Sequence, residues 1–282
     1  MKSPSKWRTV TGKVPCPICQ KPDWCGMAED GTVVICMRVQ SQKPTRNGGW
    51  LHRLDTQTPT RTLRLPPPPR TRPANINAEA LVNAWERATE NKDRQRLSGL
   101  LGIGIPTLVH LRASWADSYA AWAFPMRNHT GKTVGIRLRA EDGRKWAVTG
   151  SRAGLFYSDD WVYCKRVLIC EGPTDTAAAM EIGFGAIGRP SCRGQEDMLR
   201  ELLAGYRGDV VIMQDRDSAK HRPDGSKFFP GQEGAALLAS RLKRPLRIIT
   251  PPGNDLRGWV CRGGTATQLG ALIDNARWQN VR

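Results

Sequence analysis

Four acidic side chains stand in two short clusters, each directly after an apolar run. Val167-Leu168-Ile169-Cys170 runs into Glu171-Gly172-Pro173-Thr174-Asp175, and Val210-Val211-Ile212-Met213 into Gln214-Asp215-Arg216-Asp217. Carboxylates gathered in one place repel and raise one another's pKa, and a divalent cation removes that penalty. Bound Mg²⁺ or Mn²⁺ can also clamp triphosphate oxygens and support in-line phosphoryl transfer. A second set of residues suits a different metal. Cys16-Pro17-Ile18-Cys19 forms a knuckle, Cys25 follows after five residues and Cys36 after ten more. Four thiolates at such spacings suit a closed tetrahedral Zn²⁺ site.

The elements that must hold the acids can be read from the same stretches. Short continuous apolar runs are those of strands buried in a parallel sheet, and ligands bind beyond the carboxyl ends of such strands. Gly172 permits a sharp turn after the first strand, and Pro173 suits the first turn of a helix. A helix over Thr174 to Glu181, stopped by Gly183, would put Asp175 near its start, facing Glu171. Asp215 and Asp217, one residue apart, would reach the same sheet edge.

Composition frames the rest. The chain has 282 residues, a formal charge of +17 and 39% hydrophobic residues. That is enough to bury a core, and no stretch approaches the apolar length of a membrane helix. The N-terminus has no apolar signal region, so a cytoplasmic protein is expected. So strong a basic excess implies a polyanionic partner, most simply nucleic acid. It is uneven: residues 1–75 carry thirteen Lys/Arg against four Asp/Glu, residues 76–163 twelve against nine, and residues 164–282 eighteen against thirteen. Four of the eight cysteines fall in the cluster and the rest are scattered, which favours one metal site over a disulfide framework.

Four segments follow: a zinc-binding nucleic-acid module (1–55), a Pro-rich basic linker around Pro66-Pro67-Pro68-Pro69 (56–75), a helical-plus-β basic subdomain (76–163) and a parallel-sheet domain with a C-terminal tail (164–282). The fold class expected is α/β with α+β N-terminal parts. In the first segment Asp30-Gly31 offers a hairpin turn. Its Trp24, Trp50, Lys21, Arg38, Lys43, Arg46 and Arg53 combine rings and cations, as single-stranded nucleic acid requires. His52, sixteen residues beyond Cys36, reads as a surface or stacking residue. In the third, Glu79 to Trp85 reads as an amphipathic helix, and Leu97 to Leu111 as a pair of short helices broken by Gly and Pro. Trp122 to Arg127 and Lys132 to Arg139 read as strands around the turn Asn128-His129-Thr130-Gly131. Gly131-Lys132-Thr133 imitates a phosphate-loop tail but lies in this hairpin, not between a strand and a helix.

Glu171-Gly172-Pro173-Thr174-Asp175 with Asp215-Arg216-Asp217 resembles the TOPRIM module of bacterial-type primases, type IA and II topoisomerases and some nucleases. The stretch Phe124 to Arg139, then Gly143-Arg144-Lys145-Trp146 to Ser151 and Leu155-Phe156-Tyr157, resembles the polymerase core of bacterial DNA primases. The cysteine cluster resembles the zinc module of phage- and plasmid-type primases. With all three in the family's order, the chain is similar to a bacterial or phage-type DNA primase over nearly its whole length.

That resemblance implies synthesis of short RNA primers from NTPs on a single-stranded DNA template, with structural Zn²⁺ and catalytic Mg²⁺ or Mn²⁺. It implies Glu171 as catalytic acid near the metal, Asp215 and Asp217 as metal ligands, Asp175 as a supporting acid and Asp255 as an accessory one. Arg139 and Lys145, and more weakly Arg137, match positions that hold nucleotide and template. There are departures. Ser218 to Pro230, with Lys220, His221, Arg222 and Lys227, intervenes before the next helix, either to touch nucleotide or template or as a surface insertion. Arg257 and Gly258 stand where the family has Asn and Asp. The chain ends about thirty residues past the sheet, too few for a helicase-binding domain, so a replicative helicase would act in trans. Rival readings are a TOPRIM metal-dependent nuclease and a non-catalytic zinc-bearing replication accessory protein.

Overall fold

The computed structural model describes residues 7–45, 48–54, 76–221 and 226–279. The proposed linker and its arginines, with Arg46 and Arg222, lie outside them. The N-terminal segment forms an antiparallel sheet of β1 (Trp7–Thr9), β2 (Gly26–Ala28), β3 (Val33–Cys36) and β4 (Trp50–Arg53), ordered as in the chain. Gly31, at φ +72°, makes the turn between β2 and β3. The core of this module is small: Val10, Met27 and Val34 packed with the four clustered cysteines.

Three helices follow: α1 (Ala78–Ala88), α2 (Asn91–Leu101) and α3 (Ile105–His110). The expected pair of short helices, broken by Gly and Pro, is α2 and α3, but α2 begins before Leu97. A capping box between Glu90 and Asp93 starts α2 six residues earlier than Leu97, and Gly102 at φ +67° ends it. The polar run Asn91 to Arg96 lacks the apolar period that betrays a helix. A second antiparallel sheet comprises β5 (Ser114–Ala116), β6 (Ala121–Arg127), β7 (Thr133–Arg139) and β8 (Lys145–Ala147).

The remaining elements are β9 (Arg166–Glu171), α4 (Gly172–Glu181), β10 (Gly185–Arg189), α5 (Glu196–Leu202), β11 (Asp209–Met213), β12 (Lys220–His221), β13 (Lys227–Phe228), α6 (Pro230–Leu242), β14 (Arg247–Ile249), α7 (Leu256–Cys261) and α8 (Ala266–Asn275). Their main sheet is parallel, in the order β10-β9-β11-β14. Its central strands are buried on both faces, which explains their unbroken apolar runs. Leu168, Cys170, Val211 and Met213 pack against α4 and against Trp122, Phe124 and Met126 of β6. Val167, Ile169, Val210 and Ile212 pack against Leu199 of α5 and Leu238 and Leu242 of α6.

The segment Leu155-Phe156 joins the two larger sheets, bridging Arg127 on β6 and Gly188 on β10. The N-terminal module is docked on β8: the Ala147 amide donates to the Met37 carbonyl at 3.1 Å, and Trp50 meets Trp146 edge-on at 6.0 Å. Among the described residues no helix is long and apolar enough to cross a membrane.

Candidate active site

Register decides which side chains meet at the sheet edge. Strands β9 and β11 pair with Ile169 opposite Ile212, so Glu171 and Gln214 lie level at their carboxyl ends, with Asp215 next. On the other side Arg189 of β10 is level with Glu171. Gly172, at φ +82°, turns the chain at once into α4. In the second sheet Arg137 and Arg139 are two apart on β7 and share a face, with Lys145 of β8 directly opposite Arg139.

These edges enclose a cavity of about 480 Å³. Its acids are Glu171, Asp175, Asp215 and Asp255, and its bases Arg137, Arg139, Lys145 and Arg257. All the expected acids but one therefore line one space, facing all three expected bases. The exception is Asp217, whose Oδ2 accepts the Gly231 amide at 2.7 Å at the start of α6. Glycine leaves room there: an added Cβ on Gly231 would press on the Asp215 carbonyl at 3.0 Å and on Asp217 Oδ2 at 3.1 Å. Asp175 accepts the Arg257 amide at 2.8 Å, and Asp255 caps α7 by accepting the Gly258 amide at 2.6 Å.

Burial dominates the electrostatics. It pushes Asp215 up to about 8, with further repulsion from Asp175 and Glu171. Glu171 rises to about 7 through burial, tempered by Arg189 and reinforced by Asp217. Asp175 rises to about 6 through burial, against the stabilising Arg257 amide. The bases are perturbed in the opposite sense. Burial, then repulsion by Arg38, lowers Arg137 to about 10. Burial lowers Arg139 and Lys145 as well, with Arg257 repelling the first and Arg139 the second. Arg139 Nε is buried without a hydrogen-bond partner. Such an orphaned cationic donor beside other cations calls for an anion.

All-oxygen donors suit a hard cation. Among the described residues the acids do not form a closed cage; the group of three or more ligand atoms that does close is the four cysteines. That fits Mg²⁺, which keeps several waters and is held by one or two carboxylates together with substrate phosphates.

The cysteine cluster fits its metal closely. The ligand atoms of Cys16, Cys19, Cys25 and Cys36 all lie within 4.8 Å of one another, with Cys19 and Cys25 sulfurs 3.6 Å apart and Cys25 and Cys36 3.9 Å apart. Zn–S bonds of about 2.3 Å in a tetrahedron separate sulfurs by about 3.8 Å. None of the four is in a disulfide. The Met37 and Val39 amides donate to the Cys25 and Cys36 sulfurs at 3.5 and 3.3 Å.

Other expectations for the module need correction. Arg38 is 2% exposed, paired with Asp23 and bonded to the Ser151 carbonyl at 3.1 Å. Trp50 is buried against Trp146. Neither can meet a nucleic acid, because docking on β8 consumes them. His52, expected as a surface or stacking residue, is half-buried, its ring bonded to the Val39 carbonyl at 3.0 Å.

Two residues went unanticipated. Arg189, buried and held by the Cys192 carbonyl at 2.7 Å, is the cation nearest in effect to Glu171. It follows the apolar run Gly185 to Gly188, the same signal that marked Glu171 and Asp215. Arg257 gave no signal beyond a base beside Asp255.

No protein-family model matches the sequence, and no curated protein matches it. Solved structures do match. Over 71% of this chain and 79% of theirs, an Escherichia coli primase catalytic core superposes with a TM-score of 0.54 at 14% identity, and a DnaG primase catalytic domain bound to single-stranded DNA with 0.56 at 14%. The Aquifex aeolicus primase, comprising zinc-binding and RNA polymerase domains, matches with a TM-score of 0.56 at 11% identity, over 72% of this chain and 60% of that one. The chain has the primase fold. In that fold the acid-lined cavity lies where the parallel sheet meets the antiparallel one, and the cysteine module is docked on the antiparallel sheet.

Proposed function

We propose that this protein is a DNA primase of phage, plasmid or mobile-element type, making short RNA primers on single-stranded DNA by metal-dependent nucleotidyl transfer. One observation carries the reading: a single cavity sets four carboxylates against four cationic side chains, one with an orphaned buried Nε. Acids alone would suit many metal enzymes. Acids facing uncompensated guanidinium groups suit a ligand that brings both phosphates and a divalent cation. The primase fold supports the same choice.

Bound Mg²⁺ or Mn²⁺ would supply charge neutralisation and activation of the attacking 3′-hydroxyl. Glu171 and Asp215 would hold it at the cavity wall, Asp217 would join them from the start of α6 on leaving the Gly231 amide, and Asp255 would be an accessory acid at the rim. Asp175, fixed by the Arg257 amide, keeps α7 against α4 and adds negative potential beside Asp215. Arg139, Lys145 and Arg137 would bind the phosphates of the incoming NTP or the template, their burial strengthening each contact. Arg189 steadies Glu171 from the next strand. The cysteine module would hold Zn²⁺, supplying much of its folding energy. The segmentation into zinc module, linker, basic subdomain and parallel-sheet domain belongs to this reading, as does a helicase in trans.

The test is purified protein with single-stranded DNA, labelled NTPs and Mg²⁺ or Mn²⁺. Short RNA products that fall at least 100-fold in Glu171→Gln support the proposal. Template degradation without synthesis would point to a nuclease, and salt-sensitive binding with neither activity to an accessory protein.

A further inference from the structure

One ring of the cysteine module lies against a guanidinium that lines the cavity. Trp24, the residue before Cys25, is half-buried and packs against the main core cluster. Two guanidinium groups lie over its indole, Arg38 at 4.6 Å and Arg137 at 5.2 Å from the ring centroid. They are differently placed. Arg38 is neutralised by Asp23 and lies within 3.7 and 3.8 Å of the Cys19 and Cys25 sulfurs. Arg137 has no carboxylate partner among the described residues, and it lines the cavity. Two like charges are thus brought close, and the electron-rich face of a tryptophan offsets their repulsion.

The backbone supports a special role for this side chain. Trp24 sits at φ +64°, a left-handed conformation that a bulky residue rarely adopts. A strained conformation that persists points to a function for the side chain it carries.

We propose that Trp24 is a positioning residue for the phosphate site: its ring holds the Arg137 guanidinium at the cavity wall, so the folded cysteine module forms part of that site. The assignment of phosphate binding to Arg137 rests on the primase reading; the positioning itself does not. Through Arg38 the chain of contacts runs from the cysteine sulfurs to Trp24, then to Arg137 and the cavity. Arg38 also donates to Ser151 beyond β8, which fixes the module against the sheet that carries Arg137.

Zinc-loaded Trp24→Asn removes the ring while tolerating the left-handed backbone, and Trp24→Phe keeps an aromatic face. Trp24→Gly, which relaxes the same backbone, serves if the first variant loses zinc. ATP with Mg²⁺, titrated by calorimetry, is the probe. Trp24→Asn should weaken ATP about 10-fold and Trp24→Phe about 3-fold or less, with zinc content and melting temperature unchanged. In an Arg137→Ala background Trp24→Asn should cost nothing further, because the two act through one contact. Unchanged ATP affinity, or a loss that simply adds to that of Arg137→Ala, overturns the proposal. Solvent exchange of the Arg137 Nε proton, followed by NMR, tests positioning without nucleotide. It should accelerate in Trp24→Asn, and an unchanged rate overturns the proposal. Wild-type protein that binds no ATP would instead defeat the primase reading, with the Nε exchange still deciding on Trp24.

Discussion

Asp215 and Glu171 are raised to about 8 and about 7 because they are buried among other acids. The folded protein therefore binds more protons than the unfolded chain between the ordinary carboxylate range and about pH 8. The stability these groups lend is complete below the unfolded values, and it is lost as pH rises through the folded ones. A divalent cation competes with those protons. The melting temperature gained on adding MgCl₂ should thus be larger at pH 8.5 than at pH 6, as differential scanning fluorimetry can record. Asp215→Asn should raise the metal-free melting temperature at pH 8.5 by about 2–4 °C, the size of ~1 kcal/mol in a domain of this length, and should blunt the response to Mg²⁺. Equal metal responses at the two pH values would contradict the assignment. These acids were legible in the sequence because each follows an apolar run, and that placement fixes their position at a sheet edge. The environment that shifts them was not legible. It comes from burial at the sheet edge and from Asp175 and Asp255, brought in by α4 and by a helix far along the chain.

The elements were readable wherever burial was two-sided or strictly alternating. Strands β9 and β11 carry unbroken apolar runs, Val167 to Cys170 and Val210 to Met213, and β6 and β7 flank a turn rich in Asn and Gly. Helix α2 was missed over its first six residues because its start depends on a capping box and polar surface, which leave no apolar period. The module's stacking face was misread for a related reason: a Trp or Arg suits both a nucleic acid and a buried interface, and only docking on β8 decides between them. Two glycines separate packing from propensity. Gly188 of β10 packs against α4, where a Cβ would collide with Thr176 Oγ1 and lie 2.8 Å from the Gly172 carbonyl. Gly188→Ala should destabilise by about 1–3 kcal/mol in urea unfolding and shift the turn that presents Glu171. Gly99, exposed in α2 with nothing within 4 Å of an added Cβ, should behave oppositely. Gly99→Ala should stabilise by about 0.5–1 kcal/mol through helix propensity alone. Destabilisation by both would show that the close approach at Gly188 is not what matters.

At the scale of the whole molecule three sheets depend on one another unequally. The parallel sheet has cores on both faces and needs nothing from the cysteine module beyond the edge contact of Trp24. The antiparallel sheet depends on it more, since Trp50 belongs to the core formed by Trp146, Ile136, Leu138 and Val82. Among its described residues the module buries Val10, Met27 and Val34 around its cysteines, with Ile18, Met37, Val39 and Leu54 partly buried beside them, too little apolar surface to fold without a cross-link. Zinc should therefore fold the module, and the folded module should cover an apolar edge of β8. Removing zinc by chelation, or replacing Cys36 with serine, should split thermal unfolding into two steps. The first, at lower temperature, should carry the fluorescence change of Trp50 and Trp146 leaving their contact. The second should report the parallel sheet and lie within a few degrees of the original transition, because its cores are intact. Calorimetry with and without chelator measures both steps. A single transition displaced as a whole would mean that the module is integral to every core, and no displacement would mean that the four cysteines hold no metal.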